Sequence, residues 1–436
     1  MVPPAREAPL AVSPPADAKS LILPPAPSPI ANLTPPLTPV EEAGCSSAPF
    51  AEPKISILGS VQTQVSPLWA AQFDGPSECS LTLEYRRGQD GGLIKYGEGA
   101  WSKVYSAISV EHALSLNASP PRTPTRAISS SPRLGPSSGD TTIFAVKVAS
   151  GRDAHPIICA EADILTYLHR LPGSTAHIVP FHGYIPSLHA IVMTAIPLSF
   201  ADYIKARSTE AAASFSTRTM FKPVVGTATW LSLASGLVEG LHWLHDVAGV
   251  VHGDVKPQNI LLRQRIPSIN ASTANTGNAS INDKTVDAYD PLFVDFTSAH
   301  CLHANDMVPS SATGLSALSP PFTAPELLSV ASLAAPEIVP APSSDVFSLA
   351  VTLLAAATGY VNIYPGADRM QRLAMSRDGH RVLDYIRSGD QGTRVPRKGI
   401  VERVISPAVL KEAERRVTAE QWLGTVRGEV AAFAQE

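Results

Sequence analysis

Val250-Val-His-Gly-Asp-Val-Lys-Pro-Gln-Asn-Ile-Leu-Leu262 decides the reading of this chain. It brings a carboxylate (Asp254), a cation (Lys256) and an amide (Asn259) into one short loop between an amphipathic stretch and an apolar run. A carboxylate can orient an attacking hydroxyl, a cation can neutralise a moving phosphoryl group, and an amide oxygen can hold a metal ion. A purely structural loop has little use for that trio.

Upstream, Trp230 to His245 carries Leu231, Leu233, Leu237, Val238, Leu241 and Leu244 at helical spacing, which predicts a helix leading into the loop. Ile158 to Leu171 repeats the pattern and stops at Pro172-Gly173. Before these helices the periodicity is that of strands. Ser80 to Tyr85 alternates, and Lys95 to Tyr105 predicts two strands around a glycine turn. In that turn, Gly97-Glu98-Gly99-Ala100-Trp101-Ser102-Lys103-Val104 has glycines that let backbone N–H groups approach phosphate oxygens. Taken singly, such a sequence is more often only a turn.

Thr142 to Val148 is an apolar strand carrying Lys147. A lysine there is ordinarily the solvent-facing residue of an alternating strand; pairing with nucleotide phosphates needs a carboxylate nearby, which Glu161 can supply. Downstream, Leu292-Phe-Val-Asp-Phe-Thr297 delivers Asp295 at the end of a short strand, placed to chelate Mg²⁺. Ala324-Pro-Glu326 follows, and Asp345 opens an apolar helix at 345–358. Further helices are expected at 368–388, 407–413 and 418–433. Strands followed by helices imply an α+β fold with a small β-rich lobe and a larger helical lobe.

The ordered series of glycine loop, Val-Lys on a strand, helix Glu, H-x-D-x-K-x-x-N, D-F-x and A-P-E resembles the protein-kinase signature set, of the eukaryotic serine/threonine type. The resemblance covers roughly residues 92 to 431 and implies a two-lobed protein-kinase-like fold. It also implies ATP and Mg²⁺ as cofactors, with proteins as substrates. Residue by residue, it implies that Gly97, Glu98, Gly99 and Ser102 cover the ATP phosphates, with Tyr96, Val104 and Ala145 as the roof over adenine and Leu261 its floor. Met193 would guard the back of that pocket, with Thr194 and Ala195 as hinge. Lys147 would contact phosphates and pair with Glu161. Asp254 would be the catalytic aspartate, Lys256 the phosphate-contacting lysine, and Asn259 and Asp295 the metal ligands. Glu326 would pair with Arg416, and Asp345 would brace the catalytic loop from beneath.

Two positions depart from the family pattern. Gly253 stands where the family usually has the arginine that receives an activation-loop phosphate. Activity is therefore expected not to need phosphorylation within 298–323, and joint replacement of Ser310, Ser311, Thr313, Ser316, Ser319 and Thr323 by Ala is expected to be tolerated. Thr297 replaces the glycine after Asp295-Phe296; a β-branched residue resists positive φ, which predicts a restricted segment. Neither change removes a group that performs chemistry. An enzyme is thus favoured over a pseudokinase scaffold that binds ATP or proteins, and over a kinase-like enzyme acting on small molecules. Phosphate incorporation from Mg-ATP, compared with Asp254→Ala, separates these readings.

Bulk properties bound the rest. A net charge of −4 over 436 residues gives no electrostatic reason to expect a nucleic-acid partner. Four scattered cysteines offer neither a zinc site nor a disulfide framework. The start lacks the pattern of a secretory signal, and Val346 to Thr358 is too short for a membrane span of about 20 residues. A soluble chain of the cytoplasm or nucleus is expected. Forty prolines concentrate toward the start, so residues 1–80 read as a disordered Pro-rich tail and 81–431 as the kinase domain. Low-complexity insertions are expected at 117–139 and 263–290. The tail's extended proline runs fit an SH3- or WW-type partner.

Overall fold

The computed structural model describes residues 75–110, 142–265, 289–302, 318–335, 338–364 and 366–435. Residues 1–74, the expected insertion at 117–139 and nearly all of that at 263–290 lie outside them.

The first part is a twisted sheet. Strands β1 (Leu83–Tyr85) and β2 (Lys95–Glu98) share one edge of β3 (Ser102–Ser109). The sheet continues through β4 (Ile143–Ala149) to β6 (Ala190–Thr194) and β5 (Phe181–Ile185), antiparallel throughout. Side chains alternate across a strand, so β4 serves two faces. Phe144 and Val146 pack with Ala107, Ala190 and Val192 on one face, while Lys147 turns to the other. The chain already engages the sheet at Ser77, whose carbonyl accepts the Tyr184 N–H, and at Cys79, whose N–H bonds the Tyr184 carbonyl.

Helix α1 (His155–Arg170) lies against the sheet through Ile158, Ala162, Leu165 and Leu168, spaced three and four apart. Glu161 shares that buried face, which is why a carboxylate reaches Lys147.

The larger part is helical. α2 (Phe200–Ala213) is capped by the Ser199 hydroxyl, which accepts from the Asp202 N–H. Its large apolar residues, Phe200, Tyr203 and Ile204, are confined to its start, so no periodic stripe marks it. α3 (Thr227–His242) continues into a widened turn at Trp243–Val247. It packs on α4 (Pro342–Thr358), where every residue from Ser344 to Thr358 is buried, and the Trp230 indole N–H donates to the Leu353 carbonyl. A helix apolar on all sides is the centre of a domain, as its length predicted. Asp345 sits in its first turn and thus deep in the core.

The segment expected as one helix at 368–388 is two, α5 (Arg369–Arg377) and α6 (Val382–Arg387). The break falls at Gly379, where a Cβ would meet the Phe347 ring at 2.7 Å. The helix expected at 407–413 is instead α7 (Ile400–Ile405) followed by short 3₁₀ turns, because Pro407 cannot continue it. α8 (Ala419–Phe433) matches expectation and begins with a Thr418–Gln421 capping box. Between α3 and α4 run the short strand β7 (Val250–Val251), the hairpin of β8 (Ile260–Gln264) and β9 (Tyr289–Phe293), and β10 (His300–Cys301), which pairs with β7. The hairpin therefore takes in both ends of the expected 263–290 insertion, with Arg263 and Arg265 both paired to Asp290. No described helix is long and apolar enough to cross a membrane.

Candidate active site

A cleft of ≈ 570 Å³ lies between the sheet and the helical part. Tyr96, Gly97, Glu98, Gly99, Ser102 and Val104 line it from the β2–β3 hairpin. Ala145, Lys147 and Met193 line it from β4 and β6, with Thr194 and Ala195 at the strand end. Lys256, Asn259, Leu261 and Asp295 close the opposite side. Val179, Ile196, Pro197, Asp202 and Lys205, which belong to no motif, also line it and were not anticipated, and Gln258 of the Val250–Leu262 loop joins them.

Lys147 joins the two sides. Its Nζ lies 2.8 and 2.6 Å from the two carboxylate oxygens of Glu161 and 2.7 Å from Asp295 Oδ1. Burial disfavours the ammonium, but Asp295 and Glu161 outweigh it and hold the Lys147 pKa above the ordinary lysine value. Burial likewise opposes ionisation of Asp295; Lys147 and the Thr297 hydroxyl overcome it and hold that carboxyl well below the usual range. Glu161 also accepts the Phe296 N–H at 3.1 Å, tying α1 to the segment after β9.

That segment also shows how Thr297 is accommodated. The positive φ, 68°, falls on Asp295 and not on Thr297, so the β-branch meets no backbone conflict. Its hydroxyl donates to Asp295 Oδ1 at 2.9 Å, and the residue is a local support for the carboxylate.

The Val250–Leu262 loop wraps around one buried carboxylate. Asp345 accepts the His252 N–H at 2.7 Å and the Gly253 N–H at 2.9 Å, and lies 3.1 Å from His245 Nε2. Gly253 has φ 79°, and a Cβ there would meet the Ser298 carbonyl oxygen at 2.5 Å. Both facts require glycine: the backbone is left-handed and the neighbouring chain is too close. Asp254 follows; it does not itself line the cleft, but it bonds two residues that do, Lys256 and Asn259. Lys256 Nζ donates to Asp254 Oδ2 at 2.6 Å, and Asn259 Nδ2 donates to the same oxygen at 3.1 Å and to the Asp254 carbonyl at 2.9 Å. Burial pushes the Asp254 carboxyl up, and the Lys256 charge only partly offsets it.

Ser319 is a site residue that sequence reasoning missed. Lys256 Nζ donates to its hydroxyl at 2.9 Å, and its backbone N–H donates to Thr323 Oγ1 at 2.7 Å. Nothing in the local sequence signals this, because the partners are 63 residues apart. Ser319 and Thr323 therefore cannot belong to a neutral alanine set. Ser310, Ser311, Thr313 and Ser316 lie outside the described residues.

Away from the cleft, Glu326 and Arg416 meet end-on, with Nη1 and Nη2 each donating to one carboxylate oxygen at 2.8 Å. Arg416 also donates to the Leu410 and Ser343 carbonyls and stacks over Phe347 at 5.1 Å. Among the described residues no cluster of three or more His, Cys, Asp or Glu could hold a metal by itself.

A family model described as "Protein kinase domain" matches residues 137–425. The serine/threonine-protein kinase PknK of Mycobacterium tuberculosis, in strains CDC 1551 / Oshkosh and H37Rv, is 36% identical over 130 residues. PknK of Mycobacterium bovis is 35% identical over 130 residues. Each match spans 30% of this chain and 9% of the relative's own length. The family match takes in Lys147, Glu161, the Val250–Leu262 loop, Asp295 and the Glu326–Arg416 pair, in a fold with a β-rich lobe followed by a helical one; this chain belongs to the protein kinase domain family.

Proposed function

We propose that this chain is an active serine/threonine kinase, transferring phosphate from ATP to hydroxyls of protein substrates. The observation that carries the reading is the link from Glu161 through Lys147 to Asp295, in the same cleft that Lys256 and Asn259 line and Asp254 borders. A scaffold without chemistry has no need to hold a buried lysine between two carboxylates beside a hydroxyl-orienting aspartate.

Gly97 and Gly99 leave the β2–β3 backbone free to lie over phosphates, and Lys147 is kept protonated to meet their charge. Asp254 accepts the hydrogen bond of the incoming hydroxyl and aims its oxygen in line with the transferred group. Lys256, already anchored on Asp254 and Ser319, places a cation where negative charge develops. Ala145, Met193 and Leu261 provide apolar surface for an adenine ring.

Asp295 and Asn259 fit Mg²⁺. Asn259 commits its amide N–H to Asp254, which leaves its carbonyl oxygen as a donor, and Asp295 adds a carboxylate held ionised. Two hard oxygen groups are an incomplete shell, which suits an ion that keeps waters and phosphate oxygens around it. When bound, Mg²⁺ supplies charge neutralisation on the phosphates.

The reading includes no phosphate-receiving arginine, because Gly253 occupies its place. Replacing Ser310, Ser311, Thr313 and Ser316 together by Ala is expected to leave turnover largely intact. A collapse in rate with an unchanged thermal midpoint would refute that part.

The deciding experiment is transfer of labelled phosphate from Mg-ATP to a generic protein substrate by the full chain and by Asp254→Ala. Transfer that Asp254→Ala abolishes, recovered as phosphoserine or phosphothreonine, supports the proposal. Absence of transfer by the parent protein would leave a pseudokinase scaffold as the function.

A further inference from the structure

Ahead of β1, residues 77–79 run parallel to the edge strand β5. The Ser77 carbonyl accepts the Tyr184 N–H at 2.8 Å, and the Cys79 N–H donates to the Tyr184 carbonyl at 2.9 Å. An edge strand presents unpaired N–H and C=O groups, and these two bonds occupy the pair on Tyr184. The approach is close. A Cβ built on Gly183, whose φ is 127°, would meet the Cys79 Cα and N at 2.6 Å each, so this position accepts only glycine.

The same short stretch reaches α1. The Ser77 N–H donates to Thr166 Oγ1 at 2.9 Å, across 89 residues. Thr166 is 2% exposed, and its hydroxyl donates in turn to the Ala162 carbonyl at 2.8 Å. A helical threonine that bonds the carbonyl four residues back is ordinary. The second bond is not, because it ties a buried hydroxyl of α1 to the backbone of a segment that precedes every strand. Glu161, which pairs with Lys147 and accepts the Phe296 N–H, lies on the same helix just before Thr166. A helix couples its residues as a rigid element, so what fixes α1 at Thr166 also bears on Glu161.

We propose that residues 77–79 are a strap that holds α1 to β5, and that Thr166 is a positioning residue acting through the helix on the Glu161–Lys147 pair. A pull on the chain ahead of Ser77 is transmitted by the strap to Glu161, which makes it a point of control over the cleft. The effect on turnover rests on the kinase reading; the effect on α1 does not.

Thr166→Val removes the acceptor and keeps the shape, and Ser77→Pro removes the donor and keeps the carbonyl that Tyr184 bonds. Hydrogen–deuterium exchange of the full chain is followed by mass spectrometry in peptides covering α1, α3, α4 and the strap. Each variant is expected to speed exchange in α1 about fivefold, the factor that one lost hydrogen bond carries, with α3 and α4 unchanged. Thr166→Ser restores the hydroxyl and is expected to exchange as the parent does. The double variant, Thr166→Val with Ser77→Pro, is expected to match either single one, because both remove the same bond. In a parent that transfers phosphate from Mg-ATP, kcat/KM for ATP is expected to fall about fivefold in Thr166→Val and to recover in Thr166→Ser.

Unchanged α1 exchange in Thr166→Val, equal acceleration in α3 and α4, no rescue by serine, or additive effects in the double variant overturns the strap. Faster α1 exchange with kcat/KM unchanged in an active parent overturns the positioning role. A parent without transfer refutes the kinase reading alone, and the exchange results still decide the strap.

Discussion

Asp345, in the first turn of the most buried helix, accepts the backbone N–H groups of both His252 and Gly253, at 2.7 and 2.9 Å. One carboxylate from the core thereby sets the direction in which the next residue, Asp254, faces. Replacing Asp345 by Ala leaves two buried N–H groups unsatisfied and is expected to cost about 3 kcal/mol of stability. Burial opposes ionisation of Asp345, but His245, His252 and the loop N–H groups outweigh it and hold its pKa below the ordinary aspartate value. Its contribution is therefore present above the unfolded pKa of about 3.9 and is lost as pH falls through the lower folded value. Urea midpoints collected through the acid range should show a shallower pH dependence in Asp345→Ala; an unchanged slope would contradict the assignment.

Gly253 carries a different expectation. Its φ of 79° and the 2.5 Å approach of the Ser298 carbonyl to a built Cβ make any side chain a strain. Gly253→Ala should lose about 2 kcal/mol, from the left-handed backbone and the displaced carbonyl together. Chemical denaturation of the purified variant tests this, and wild-type stability would show that the loop is freer than its contacts imply.

The acid limb of the rate profile should report Asp254. Burial raises its pKa and Lys256 partly offsets that. Catalysis that needs the carboxylate must then fail, on acidification, at a higher pH than an exposed aspartate would. Lys256→Met removes the attraction and should move the limb of kcat/KM further up in pH, besides lowering the plateau. A limb that stays in place or moves down would assign the titration to another group.

The Arg416 side chain is wholly enclosed and bonds Glu326 end-on, with further bonds to the Leu410 and Ser343 carbonyls. Arg416→Ala is expected to destabilise by about 3 kcal/mol. Lysine cannot reproduce the planar fork, so Arg416→Lys should recover little of that loss. Thermal and urea unfolding of the two variants side by side decide the matter; a fully rescued lysine variant would reduce the contact to simple charge.

Much of this was legible in the residues themselves. The 3.6-residue spacing from Ile158 to Leu168 and in Trp230 to Leu241 marked helices, because burial of one face demands it. The two-residue alternation around Lys147 marked a strand, and the Val250–Leu262 loop stood out by its composition. Boundaries were less legible. The large apolar residues of α2 stop at Ile204, and the break at Gly379 depends on the Phe347 ring of a distant helix.

The sequence by itself determined which groups are available, namely Lys147, Glu161, Asp254, Lys256, Asn259 and Asp295, and the order of strands and helices that carries them. Only the tertiary structure decided how they are used. Ser319 reaches Lys256 across 63 residues, Thr297 proves a support rather than an obstruction, and Gly253 proves to be demanded by the Ser298 carbonyl as well as by its φ. The physical reason is the same in each case. Periodicity and motif spacing follow from local backbone geometry, whereas a hydrogen bond or a close approach between distant segments exists only once the core has packed them together.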